Sequence, residues 1–308
     1  RRQTHVFVLV CCQARTLGSP LHLSLWSSCA APLADMWSNK GGKSEGLLPG
    51  REALGPLALI GATIPGVILI WYANYHLDGS FVALGGELMA DPVGWWGKKW
   101  PSCWDAEAWS WILGFMAWQL MLMRVVPGKP FRAHLTPAGN VPVYTANGMQ
   151  CFIITLVAFV LGAQYGLFQP SRVYDKFGEI LSSLNIFSLV FCFLLMLKGY
   201  YAPSSSDCGT NNNWVLDYFW GVELYPRVLG WDIKTFTNCR FGMMYWAVGI
   251  LCYAAKQIED MNYLSDSMFV CVSLQLIYIA KFFWWESGYW CSMDIQHDRA
   301  GYYLCWGC

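Results

Sequence analysis

The chain has 308 residues, of which 56% are hydrophobic, 17% aromatic and only 13% charged, and its net charge is zero. A soluble domain carries about 25% charged residues, so this composition points into a membrane. Zero net charge excludes the basic footprint of a nucleic-acid binder and gives no reason to expect an acidic partner.

The beginning reads unlike the rest. Residues 1–35 show no helical period, and residues 1–46 are expected to be an extension outside the fold, with Met36 as a candidate true start and a polar run from Ser38 to Glu45 behind it. A secretory signal is the rival reading, because Arg1 and Arg2 precede the apolar run Val6–Cys12 and small residues follow. Residues 47–308 read as one membrane domain.

A spanning helix needs roughly 20 apolar residues. Six segments come forward in chain order: Leu54–Ala73, Ala106–Val126, Thr145–Phe168, Gly178–Tyr201, Phe241–Ala255 and Asp266–Trp290. The fifth is short unless it starts earlier. Pro65 inside the first predicts a kink, which a membrane helix tolerates where neighbours satisfy the freed carbonyl. The expected fold is all-α, a polytopic transmembrane helical bundle. Lys and Arg divide eleven to five between the two sides. The richer side is expected to be cytosolic. It takes the Pro127–Tyr144 loop, the Ala202–Arg240 loop and both ends of the chain. Within the longer loop, Trp214–Trp220 is apolar enough to dip into the membrane as a re-entrant piece.

The 13 cysteines are scattered, and most read as small buried hydrophobes. Cys305 and Cys308 have CxxC spacing, but redox or zinc chemistry needs a second ligand pair or a thioredoxin-like context. No internal repeat of the kind a transporter carries is visible.

The last third is the most informative part. It sets Glu223, Arg227, Asp232, Lys234, Arg240, Lys281, Glu286, Asp294, His297, Asp298 and Arg299 into or beside apolar, aromatic-rich stretches. Ionisable groups in a membrane usually face a cavity, a partner or a substrate, so these are read as the wall of a site. Glu223 and Arg227 are four apart, a helical ion-pair spacing, but Pro226 should end a helix near Tyr225. They are read as a pair at a helix break, either binding a polar ligand or simply bridging at the interface. Trp231–Arg240 is read as a polar cap with a basic edge in front of the fifth span. Asp294, His297 and Asp298 would share one face of a helix. A carboxylate beside His suits proton transfer, and the same three groups would suit a divalent metal or a plain solvated helix end. No metal is assigned.

These stretches resemble the sterol reductase family of endoplasmic reticulum membranes, which includes delta-14 and delta-24(28) sterol reductases and the lamin B receptor. GVELYPR, residues 221–227, resembles the family's pattern of Gly, an acidic residue, Asn or Tyr, then Pro-Arg. WDIKTFTNCRFGM, residues 231–243, resembles its Trp-Asp-x-Lys element with a downstream Arg-x-Gly. GATIPGVILIWYANYHLDGS, TPAGNVPVYTANGMQCF, KFFWWESGYW and MDIQHDRAGYYLCWGC are most similar to the branch that acts on the delta-7 double bond, in its plant and algal forms. The likeness runs from Leu47 to Cys308.

The resemblance implies a fold of about ten spans, of which about six are present here. It implies reduction of the C7=C8 bond of delta-5,7 sterols with NADPH, in the endoplasmic reticulum membrane, with sterol and membrane lipid as partners and no nucleic acid. Protonation at C8 leaves an allylic cation at C7, which then accepts hydride. The family carries a further C-terminal part, with a His-Arg-x-x-Arg-Asp element and a Lys-Tyr-Gly, that supplies much of the NADPH site. The cofactor-binding residues are therefore left unassigned, and these 308 residues alone are expected to be inactive. On this reading Asp298, His297, Asp294 and Tyr302 are the expected catalytic residues, and Glu223, Arg227, Trp284, Glu286 and Tyr289 the expected substrate-binding ones. Trp284, Trp285, Tyr289, Tyr302 and Tyr303 could face the cation, or some could anchor the membrane interface. A delta-14 reductase and a non-enzymatic sterol-binding protein are the alternatives.

Overall fold

The computed structural model describes residues 52–307 apart from Pro137. The expected 1–46 extension and Cys308 lie outside the described residues, and Cys305 is a buried free thiol.

Helix α1 spans Leu54–His76 and runs continuously through Pro65. Two short helices follow, α2 at Phe81–Ala90 and α3 at Gly94–Lys99. Helix α4 spans Ala106–Val125, and Asp105 caps it by accepting from the Ala108 amide at 2.9 Å. Strands β1, Lys129–Arg132, and β2, Val143–Ala146, pair antiparallel. Helices α5, α6 and α7 span Gly148–Gln164, Pro170–Asp175 and Phe177–Tyr201. Helix α8 is Trp214–Trp220, and a two-residue ribbon pairs β3, Arg227–Val228, with β4, Trp231–Asp232. Then comes a π-helix, Thr235–Met243, running straight into α9, Met244–Met261. Helix α10, Asp266–Trp284, is capped by Ser265, and three one-turn helices close the described chain: α11 at Glu286–Tyr289, α12 at Met293–Gln296 and α13 at Tyr302–Cys305.

All six expected segments are helical, with shifted ends. The third starts at Gly148, because Thr145 and Ala146 belong to β2. The fifth starts at Thr235, which answers its shortness. The sixth stops at Trp284, so Glu286–Tyr289 is a separate turn. Among the described residues three helices are long and apolar enough to cross a membrane, α1, α7 and α10. Their outer faces show large apolar side chains such as Leu59, Ile70, Phe193, Leu194, Leu274 and Ile277. Water would penalise such faces, and lipid favours them.

Trp214–Trp220 does form a helix, but its inner residues Val215 and Phe219 are buried, and Phe219 packs in a cluster with α7 and α13. The Phe81–Ala90 and Gly94–Lys99 helices are too short to show as spans. The main core lies where α4, α5, the π-helix, α9 and α10 meet, around Cys151, Phe152, Cys239, Met244 and Phe283.

Candidate functional site

The π-helix is the wall of the site. Its i→i+5 hydrogen bonds widen the turn, so side chains five apart lie closer to one side than they would in an α-helix. Thr235 and Arg240 thus face one way, into a polar cavity of about 430 Å³ also lined by Arg124, Arg227, Asp232 and Trp290. Phe236 and Phe241 face the other way, into an apolar cavity of about 290 Å³ shared with α1, α4, α7, α9 and the turn after α13. Nine residues of helix therefore separate a polar chamber from an apolar one.

Arg240 anchors the polar side. It is 1% exposed and forms an ion pair with Glu286, which is 3% exposed. Glu286 also accepts from the Gly148 amide at 2.9 Å, and Arg240 donates to Asn147 Oδ1 at 2.8 Å. Asn147 in turn donates to the Val126 carbonyl at 2.8 Å. Gly148 is required there, because a Cβ would meet the Glu286 carboxyl at 2.7 Å. The network ties the end of α4, the start of α5, the π-helix and α11 together. Trp231–Arg240 is therefore no solvated cap with a basic edge: Asp232, Lys234, Thr235, Thr237 and Arg240 are all buried.

Lys234 is a second anchor. It is fully buried and donates to three backbone carbonyls, Leu224 at 3.2 Å, Ile295 at 2.9 Å and Asp298 at 2.5 Å. Those three bonds use all three protons of the ammonium. They pin the Asp294–Asp298 stretch to the loop before β3. Burial pushes the Lys234 amine down to about 8, against the pull of Asp232, Asp298 and Asp294. Asp232 is buried beside it and caps the helical turn through Thr235 N at 2.8 Å. Burial raises the Asp232 carboxyl, although Thr235 and Arg227 pull the other way.

The expected helical face of Asp294, His297 and Asp298 does not form. Helix α12 ends at Gln296 after a single turn, and the Asp298 amide reaches back to the Met293 carbonyl at 3.2 Å. His297 and Asp298 nevertheless touch, with Nδ1 and Oδ1 2.9 Å apart. Burial pushes Asp298 up, but hydrogen bonds from His297 and Tyr303 outweigh it and hold the carboxyl below the ordinary value. Burial raises Asp294, and the nearby Asp298 charge adds to the effect. Asp298 is thus the carboxylate that orients His297 and Tyr303, and Asp294 is the one that more readily keeps a proton.

The remaining expected residues are spread out. Glu223 and Arg227 do not pair with each other, because no helix passes through them: Gly221 turns the chain at φ 89° and Arg227 starts a strand. Glu223 is buried and pairs with Lys198 at 2.6 Å. Arg227 donates to the Val143 carbonyl at 2.6 Å, lies over the Tyr144 ring and sits 3.8 Å from Asp232. Tyr302 is buried and shares a hydrogen bond with Thr63 at 2.8 Å, while Tyr289 is bonded to Asn238. Trp284 is 77% exposed and points outward, which suits an interface anchor. Of all these, only Arg227 lines either cavity. Asn185 and Tyr245 line the apolar cavity and were not singled out in the sequence. Each sits inside a long apolar segment, where one polar residue is the only available signal.

Residues 91–308 match the ergosterol biosynthesis ERG4/ERG24 family. The chain is 47% identical over 253 residues to the 7-dehydrocholesterol reductase of Arabidopsis thaliana, covering 82% of this chain and 58% of that protein. It is 34% identical over 257 residues to a probable 7-dehydrocholesterol reductase of Acanthamoeba polyphaga mimivirus, covering 79% and 57%. It is 29% identical over 256 residues to the delta(14)-sterol reductase of Methylotuvimicrobium alcaliphilum, covering 82% and 57%. The chain thus spans under two thirds of the length of each of these relatives.

Proposed function

This chain belongs to the ergosterol biosynthesis ERG4/ERG24 family, and we propose that it forms the larger part of a membrane enzyme that reduces the C7=C8 bond of delta-5,7 sterols. The observation that carries the reading is the apolar cavity walled by Phe236 and Phe241, backed by likeness to proteins named 7-dehydrocholesterol reductase. A flat apolar ligand fits such a lining. Aromatic faces there would steady the allylic cation left by protonation. His297 and Tyr303, oriented by Asp298, and Asp294 with its raised carboxyl are the proton-handling groups proposed for the reaction, although none of the four lines the apolar cavity itself.

A nicotinamide cofactor, NADPH in this proposal, supplies the hydride when bound. The polar cavity fits its anionic part in charge, since Arg124, Arg227 and Arg240 line it and Arg240 Nε is buried there as a donor without a hydrogen-bond partner, with Asp232 the one carboxyl in the lining. Arg124 and Arg227 would hold phosphate, while Arg240 stays committed to Glu286. The eleven-to-five bias of Lys and Arg favours an orientation with this chamber toward the cytosol, and the endoplasmic reticulum membrane is proposed from the likeness to sterol reductases alone.

The test is expression of the full-length protein in yeast that accumulates delta-5,7 sterols, followed by sterol analysis. Accumulation of the delta-5 product supports the proposal, and an unchanged sterol profile opposes it. Likeness to a delta(14)-sterol reductase keeps delta-14 reduction as the second reading, and a strain that accumulates delta-14 sterols separates the two.

A further inference from the structure

The apolar cavity has four polar residues in its lining, Asn185, Ser188, Thr237 and Tyr245. Two are satisfied within the protein. Ser188 donates to the Asn185 carbonyl at 3.0 Å, and Thr237 donates to the Ile233 carbonyl at 3.1 Å. The other two are not: Asn185 Nδ2 and the Tyr245 hydroxyl are buried with no hydrogen-bond partner. Asn185 is 5% exposed, so water does not serve it freely.

The amide orientation of Asn185 follows from chemistry. Its other terminal atom meets the Trp306 indole nitrogen at 3.0 Å. An indole N–H only donates, so that atom is the oxygen and the NH₂ is left as a spare donor. A spare amide donor and a spare phenol, which donates or accepts, thus line one otherwise apolar chamber. Buried polar groups are rarely left unpaired, and those that are need an explanation. A ligand with one hydroxyl on a rigid apolar body supplies it.

We propose that Asn185 and Tyr245 recognise the single hydroxyl of a sterol, its 3β-OH, and so fix which end of the ligand enters the cavity. This rests on the sterol reading above and adds the ligand's orientation to it. The hydroxyl oxygen accepts from Asn185 Nδ2, and its proton goes to the Tyr245 oxygen. The ring system then lies along Phe236 and Phe241. At about 290 Å³ the chamber is at the lower end of ligand pockets, which run from roughly 300 to 1,000 Å³.

The test uses the full-length protein in lipid nanodiscs with two probes, a delta-5,7 3β-hydroxysterol and its 3-methyl ether. Binding is followed by quenching of Trp fluorescence. The wild type should bind the free sterol about tenfold more tightly than the ether. Tyr245→Phe should lose most of that preference by weakening the free sterol alone. Its thermal stability should hold or rise, because the deleted hydroxyl has no partner in the protein. Asn185→Leu should act in the same direction, and its stability is read separately because it also leaves Trp306 without an acceptor. If the wild type binds neither probe, the sterol reading falls and this inference with it. If the wild type binds sterol but Tyr245→Phe weakens both probes equally or neither, the inference alone is overturned.

Discussion

The buried Arg240–Glu286 pair makes the sharpest stability prediction. Replace Arg240 by Met, which keeps an unbranched chain and removes the charge. Glu286, 3% exposed, is then left with the Gly148 amide as its remaining hydrogen-bond partner, and Asn147 Oδ1 loses its donor. Removing one member of a buried pair costs about 3–5 kcal/mol, because the other charge stays buried without compensation. Whole domains are stable by only ~5–15 kcal/mol. For a chain of this size the loss corresponds to a fall in melting temperature of roughly 6–20 °C. The double change Arg240→Met with Glu286→Leu should recover most of it, since an apolar pair of similar volume is often neutral in place of a buried ion pair. The assay is thermal unfolding of the purified protein in detergent for wild type, both single variants and the double. Single variants within about 0.5 kcal/mol of wild type would refute the network. So would a double variant whose loss equals the sum of the two singles, because contacting residues must couple.

Further outcomes follow from the same geometry. Lys234→Met deletes three charge-assisted bonds to carbonyls, and limited proteolysis should then cut the Asp294–Gly301 stretch faster than in wild type. Gly221→Ala should destabilise by at least 1 kcal/mol, because φ is 89° and the new Cβ would meet the Ala300 backbone at 2.5 Å; expression level and melting temperature report it. Asp294 has a raised carboxyl, so folding favours its protonated form and the group detracts from stability as pH climbs above the ordinary value of 3.8. Asp294→Asn should therefore melt at or above wild type at pH 7, with the difference vanishing at pH values below 3.8. Asp298 is the opposite case: its lowered carboxyl contributes stability above 3.8 that is lost as pH falls through its folded value. Asp298→Asn in the full-length enzyme should lower turnover by about 10²–10⁴ if it orients the proton-handling groups, and near-normal turnover per unit of protein would remove it from the site.

The six long helical segments were legible because bilayer thickness demands long apolar runs, and among the described residues three of them, α1, α7 and α10, are long and apolar enough to cross a membrane. Their ends were less so. Thr145 and Ala146 are apolar enough to continue a helix, yet pairing with β1 takes them into a strand. The wall of charged residues in the last third was visible as a set, but its wiring was not. Arg240 meets Glu286 and Asn147 across long stretches of chain, and one sequence carries no record of such partners. The π-register hid Arg240 further, because α-helical spacing does not group it with Thr235. His297 beside Asp298 was legible from adjacency alone, whereas their shared face with Asp294 required a helix that stops after one turn. Glu223 and Arg227 show the limit of spacing arguments: four residues apart, they serve two different partners.

The most direct test of the central claim follows the hydrogens. Full-length enzyme is supplied with a delta-5,7 sterol and cofactor carrying deuterium at the transferred position, and in a parallel run with ordinary cofactor in D₂O. The account predicts deuterium at C7 from the cofactor and at C8 from solvent, with the C5=C6 bond intact. Label from the cofactor at C8, or reduction of a delta-14 sterol with the delta-5,7 sterol untouched, would contradict it.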